Sequence, residues 1–229
     1  MTGALITIPA LEGAGTRHFF GTRGGQELLP AAWRRRIVSV QQVHGTDALV
    51  LDRPVEAGEI FAGGWDALVT DQPGVLVTVR TADCVPVLIH DPKRRVVAAV
   101  HAGWRGAVAG ILPRTLALLT QRFHSAPSSL HIGIGPSVGA CCYEVDAPVL
   151  EQLRQACPDW RTVAEETGRE KAMLDLKALV SLQAQRAGVA PERIGSVNVC
   201  TVGHPELFYS YRREGKVIGA MVSGIMLSK

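Results

Sequence analysis

The 229-residue sequence lacks any apolar stretch long enough to cross a bilayer, and Met1 to Gly15 lacks the basic segment and apolar core of a secretory leader. Neither a membrane partner nor export is expected, and the reading is a soluble cytoplasmic protein. Cysteine is scarce: five residues, with Cys141 and Cys142 adjacent, do not form the regular even framework of a secreted disulfide scaffold. Reduced thiols, free to act as ligands or nucleophiles, are expected instead. Charge is also low, with a formal net of +3. The basic runs Trp33-Arg34-Arg35-Arg36 and Lys93-Arg94-Arg95 have no interleaved aromatics on which bases could stack, which excludes nucleic acid as a partner. Internal repeats and low-complexity tracts are absent.

What is present is apolar sequence, 47% of the chain, enough to bury a full core in a single domain spanning 1–229. Residues 37–43 and 48–51 read as a hairpin turning at 44–47. Further strands are expected at 65–70, 75–79, 130–135, 194–199, 207–211 and 217–221. The runs 85–89 and 96–100 are almost continuously apolar, as in strands buried on both faces, although Pro86 argues for an edge or a bulge in the first. Helical spacing covers 106–123, where Pro113 marks a kink or a restart. Asp146 and Asp175 stand as N-caps of two later helices, and Gly188 stands where a C′ glycine belongs. The class is α+β, with a mixed, hairpin-rich β-sheet core packed with a few helices.

The chemistry gathers around residues 81–106. His44, Cys84 and His101 each fall at the expected end of a strand beside a turn, where sheet proteins collect functional groups. Their spacing is not a local zinc signature, so a shared metal site and three separately hydrogen-bonded side chains both remain open. Arg23, in Thr22-Arg23-Gly24-Gly25, suits an anion or a plain surface turn.

Several motifs occur together in order over nearly the whole chain. They are Gln42-Val43-His44-Gly45, Asp66-Ala67-Leu68-Val69-Thr70, Thr81-Ala82-Asp83-Cys84-Val85-Pro86 and Val100-His101-Ala102-Gly103-Trp104-Arg105-Gly106. Further along come the run from Gly135 through Cys141 and Cys142 to Val145, then Leu174-Asp175-Leu176, Cys200-Thr201 and Phe208-Tyr209-Ser210-Tyr211-Arg212-Arg213. This series resembles the YfiH family, labelled both as multicopper polyphenol oxidases or laccase-domain proteins and as purine nucleoside phosphorylases with adenosine deaminase activity. The resemblance implies a zinc ion, with copper as the alternative, held by His44, Cys84 and His101 with a fourth position left for water. It implies purine nucleosides (adenosine, inosine, methylthioadenosine) and phosphate as substrates, and a monomer or homodimer. Arg23 is then the expected phosphate seat, and Gln42 either addresses the purine edge or bonds the backbone. Asp83 is either a general acid or base or the cap of its turn. Cys141, Cys142, Cys200 and Arg212 lie in the motifs without an assigned role. One departure stands out: family members carry a longer segment where this chain has only residues 26–41.

Three rival readings differ in kind. Two histidines and a cysteine are also the equatorial set of blue copper. A multicopper laccase needs His-x-His pairs, however, and none occurs among the seven histidines. A thiol- or zinc-dependent hydrolase editing peptidoglycan precursors would use Cys84 as nucleophile with a histidine base. A zinc-stabilised interaction module would close the shell with a fourth ligand from Cys141, Cys142 or Cys200.

Overall fold

A computed structural model describes residues 3–13, 15–56 and 59–229 of the chain. Two mixed sheets stack on one another. One is six-stranded, in the order Ile194–Ser196, His131–Ile134, Val85–Asp91, Val96–Ala102, Ala67–Thr70, Ala48–Leu51. The other is five-stranded: Leu5–Ile6, Thr16–Gly21, Met221–Leu227, Leu76–Thr81, Ile37–Val38. A small three-stranded sheet is formed by Glu144–Val145, Lys171–Leu174 and Ala164–Gly168.

Alternation along the strands explains the layering. Leu68, Leu88, Val97 and Ala99 point from the six-stranded sheet onto Phe20, Val77, Val79 and Ile225 of the other sheet. Their neighbours Val69, Val87, Ala98 and Val100 point the opposite way, into a core shared with Ile111, Leu116, Leu150 and Leu179 of the helices. Every residue of Val85–Asp91 and Val96–Ala102 is therefore buried, as the near-continuous apolar runs require. Each large aliphatic side chain so placed contributes about 1.5–3 kcal/mol. None of the described helices is long and apolar enough to cross a membrane.

Several expected elements come out differently. Residues 37–51 are not a hairpin: Ile37–Val38 pairs in parallel with Leu76–Thr81, and Ala48–Leu51 in parallel with Ala67–Thr70 of the other sheet. The intervening loop is captured elsewhere, because the backbone N–H groups of Val43, His44 and Gly45 donate to the Asp66 carboxylate rather than to a strand. Pro86 lies in a central strand, not at an edge. It is tolerated because pairing with His131–Ile134 begins only at Val87, and its own carbonyl accepts from Gly135 N–H. Between residues 104 and 123 the break falls at Gly110, in the left-handed region at φ 85°, separating Trp104–Val108 from Ile111–Phe123. Pro113 then sits in the first turn of the second helix, where no intrahelical N–H partner is needed.

Residues 207–211 and 217–220 form no strand. The Leu207 and Phe208 carbonyls accept from Arg23, and Ser210 caps the short helix Tyr211–Glu214. Val217 and Ile218 are exposed, and the closing strand is Met221–Leu227. Asp175 caps its helix through Ala178 N–H, and Gly188 takes the left-handed conformation expected of it, whereas the Asp146 side chain makes no capping bond.

Candidate metal centre

Sheet register brings the donors together. Cys84 immediately precedes Val85–Asp91, and His101 lies near the end of the antiparallel neighbour Val96–Ala102, directly opposite Pro86. His44 arrives on the captured loop in the left-handed region, at φ 61°, which a glycine, having no Cβ, would adopt more easily. Cys84 Sγ lies 3.8 Å from His44 Nε2, the two imidazole rings meet edge to face with centroids 4.8 Å apart, and all three ligand atoms fall within 4.8 Å of one another.

Asp66 organises this cluster from beneath. Its carboxylate, fully buried, accepts from His101 Nδ1 at 2.7 Å and from the backbone N–H groups of Val43, His44 and Gly45 at 3.2, 3.0 and 2.6 Å. The Asp66 carbonyl also accepts from His101 N–H at 2.7 Å. With Nδ1 engaged, Nε2 is the ring nitrogen left for a ligand bond. Burial works to raise the Asp66 carboxyl, but the His101 and Gly45 bonds outweigh it and hold it below the usual carboxylate range. For His101, burial works to lower the imidazole, yet Asp66 and Cys84 raise it to about 9. Burial likewise works to raise the Cys84 thiol, and the His101 and His44 contacts bring it down to about 7. In the metal-free chain the Cys84 thiolate and the protonated His101 ring therefore balance one another, and a cation replaces the His101 proton; two imidazoles with one thiolate are a fitting donor set for zinc or copper.

Gly103 leaves the room they need. A Cβ added there would lie 2.6 Å from His44 Cδ2 and 3.1 Å from Cys84 Sγ. Gly103→Ala is therefore expected to push His44 off the cluster and weaken metal binding without unfolding the sheet, which competition against a chromophoric chelator would measure. Unchanged affinity would mean that His44 is not a ligand.

The remaining expected residues do not converge in the same way. Asp83, buried and at φ 91°, accepts from the Thr201 hydroxyl, from Ser210 Oγ at 3.0 Å and from Arg212 N–H at 2.6 Å. Its carboxylate thus ties two distant loops to the cysteine turn. Gln42 bonds the backbone, donating to the Arg80 carbonyl and accepting from Arg80 N–H, both at 2.8 Å. Arg23 stacks 4.3 Å over the Tyr209 ring, donates from Nε to the Phe208 carbonyl and lies 3.6 Å from Glu214, with its side chain 30% exposed. The Arg212 guanidinium, exposed, sits 4.8 Å over the Tyr143 ring and donates to the Glu144 carbonyl at 3.1 Å. Burial and the Cys84 charge push the Tyr143 phenol up to about 12, so it keeps its proton. Cys141, Cys142 and Cys200 gather with one another, apart from the His44–Cys84–His101 set.

Comparison with known proteins agrees with this architecture. Residues 26–228 match the family model described as multi-copper polyphenol oxidoreductase laccase. Over 200 residues the chain is 38% identical to "Purine nucleoside phosphorylase YlmD" of Geobacillus stearothermophilus, covering 83% of this chain and 72% of that protein. It is 36% identical over 191 residues to "Purine nucleoside phosphorylase YfiH" of Shigella flexneri, covering 83% and 73%. Further relatives named purine nucleoside phosphorylase are matched over less than two thirds of their own length. The crystal structure of YlmD from Geobacillus stearothermophilus superposes with a TM-score of 0.85 at 32% identity, covering 97% of this chain and 94% of that one. The chain belongs to the multi-copper polyphenol oxidoreductase laccase family, the family of the YfiH and YlmD proteins.

Proposed function

We propose that this chain is a purine nucleoside phosphorylase with adenosine deaminase activity, acting at a metal, zinc with copper as the alternative, held by His44, Cys84 and His101. The observation that carries the reading is the convergence of these three donors over a buried carboxylate, on a fold whose relatives bear the phosphorylase name. Three protein ligands leave a position open, the pattern of catalytic rather than structural zinc. A bound ion supplies Lewis-acid chemistry at that open position.

The chain's own residues do the rest. Asp66 fixes the tautomer and orientation of His101 and the course of the His44 loop, so the ligands need no reorganisation. In phosphorolysis a phosphate oxygen bonds to C1′ of the ribose as the bond from C1′ to the purine breaks, and the electron pair leaves with the base. Deamination adds water at C6 of adenine and expels ammonia. Tyr143, protonated across the neutral range, offers an uncharged donor beside Cys84, and Asp83 holds the Arg212 segment against the same turn.

Phosphate needs a cation, and Arg23 is the proposed seat. Its guanidinium is steadied by Tyr209 and the Phe208 carbonyl, but Glu214 competes for it, whereas the Arg212 guanidinium donates to the Glu144 carbonyl and forms no close ion pair among the described residues. Arg23→Ala is expected to retain metal and raise the phosphate KM with little change in deamination. If Arg212→Ala shows that pattern and Arg23→Ala does not, the seat moves to Arg212. The test of the whole reading is chromatography of adenosine incubated with and without phosphate. Phosphate-dependent adenine and phosphate-independent inosine, both lost on chelation and restored by zinc, are the expected products; untouched adenosine in a zinc-loaded chain overturns it.

A second reading has an observation of its own. The Cys84 thiol, lowered to about 7 with histidines on two sides, resembles an activated nucleophile. A metal-independent thiol hydrolase would survive chelation and die on alkylation.

A further inference from the structure

We propose that Cys141, Cys142 and Cys200 form a second metal site in this chain, an all-thiolate site for a thiophilic divalent ion of the zinc class. Their sulfurs lie within 4.8 Å of one another, with Cys141 Sγ and Cys142 Sγ 3.5 Å apart. They come from two loops that the structure pins together. Ser137 and Cys200 form a parallel bridge, and Thr201 N–H donates to the Ser137 carbonyl at 3.0 Å.

The three thiols are free and accessible, Cys141 exposed and Cys142 and Cys200 partly buried. Gly139 N–H donates to Cys200 Sγ at 3.2 Å. A Cβ at Gly139 would lie 3.4 Å from Cys141 Sγ and 3.5 Å from Cys200 Sγ, so the glycine lets the backbone approach both sulfurs at once. Backbone N–H groups aimed at sulfur are what orients and tunes a ligating cysteine.

Charge favours a divalent ion. Three thiolates and one such ion carry a net single negative charge, and the half-buried Lys177, within reach of the Cys200 and Cys141 charges, offsets it. Lys177 is itself held by the Val197 and Val199 carbonyls, on the strand-end that leads into Cys200. A disulfide between the two adjacent cysteines is the obvious competitor. Consecutive Cα atoms are about 3.8 Å apart, shorter than the usual disulfide span of about 4.4–6.8 Å, so that bond is disfavoured. Soft thiolate ligands select zinc and its heavier congeners over hard cations.

The test uses Cd2+ as probe on the reduced, metal-stripped full chain. In the Cys84→Ala variant, which removes the only thiolate of the first centre, about one Cd2+ per chain is still expected, with the strong ultraviolet sulfur-to-cadmium band of several thiolates. Adding Cys141→Ser and Cys200→Ser to that variant should abolish the band. In the unmutated chain, Cd2+ should protect Cys141, Cys142 and Cys200 from alkylation, read residue by residue by peptide mass spectrometry. No band together with unprotected thiols overturns the site. So does a disulfide linking Cys200 to either neighbour in chain purified without oxidant. Neither result depends on which nucleoside the first centre acts on.

Discussion

Asp66→Asn is expected to leave the chain folded but to cost the His44–Cys84–His101 centre roughly 10–100-fold in metal affinity, the usual effect of losing the carboxylate behind a ligating histidine. The wild-type carboxylate accepts four hydrogen bonds while fully buried. An asparagine of the same shape offers one acceptor oxygen and turns two N–H donors toward groups that are themselves donors. Each orphaned buried donor costs about 1–3 kcal/mol, so the His44 loop loosens and His101 loses the bond that fixes its tautomer.

The pH dependence of the metal-free chain checks the cause. Asp66 is depressed in the fold, so its contribution is present above its ordinary carboxylate value of about 4 and is lost as pH falls through the folded value. His101 is raised to about 9 from 6.5, so its contribution is complete below 6.5 and is lost as pH rises through 9. Thermal unfolding of the metal-free wild type should therefore show greatest stability from this pair between about pH 4 and 6.5 and a decline toward 9. Asp66→Asn should flatten that profile and weaken metal binding together. A flattened profile with undiminished affinity would show that Asp66 is structural and no partner of a metal ligand.

Nothing in the sequence marks Asp66 as more than a residue of the strand expected at 65–70, although it lies in one of the motifs. Its role depends on where the loop at 43–45 goes, and local pattern misreads that loop as the tip of a hairpin. The competing force is a buried carboxylate satisfying three backbone donors at once, a tertiary effect invisible to any window of a few residues. By contrast, the strands 85–91 and 96–102 are legible because burial on both faces leaves an almost uninterrupted apolar run, and they alone place Cys84 and His101 at one end of the sheet. The segment 207–211 misleads for a different reason. Phe208 and Tyr209 have strand-like composition, but their backbone carbonyl and ring are spent on Arg23, and Ser210 is spent on capping. The Arg23 turn was legible as a cation beside glycines; that its guanidinium already faces Glu214 was not, since those residues meet only through the fold. Gly103 and Gly139 look alike in sequence to any turn glycine, and only the sulfur atoms beside them reveal what a side chain there would displace.

Removing the metal is expected to have the largest effect of any single change: chelation, Cys84→Ala or His101→Ala should each abolish nucleoside turnover, and only the first should be reversed by adding zinc. Ligation requires a thiolate at Cys84 and a neutral ring at His101. In the metal-free chain the first is available from about 7 upward, whereas the second is protonated up to about 9. Between those values metal uptake must expel the His101 proton, so apparent affinity should rise about tenfold per pH unit and then level off above about 9. Below about 7 the Cys84 proton must leave as well, and the slope steepens. Proton release in weakly buffered solution, measured alongside affinity, reads the same quantity directly. This dependence separates the metal centre from its rival. A thiol hydrolase needs the Cys84 thiolate with a protonated histidine beside it, so its activity should fall as His101 loses its proton near 9, in the range where metal binding is strongest. Turnover that persists under chelation and declines above that pH would assign the chemistry to sulfur; turnover that tracks bound metal across the same range assigns it to the ion held by His44, Cys84 and His101.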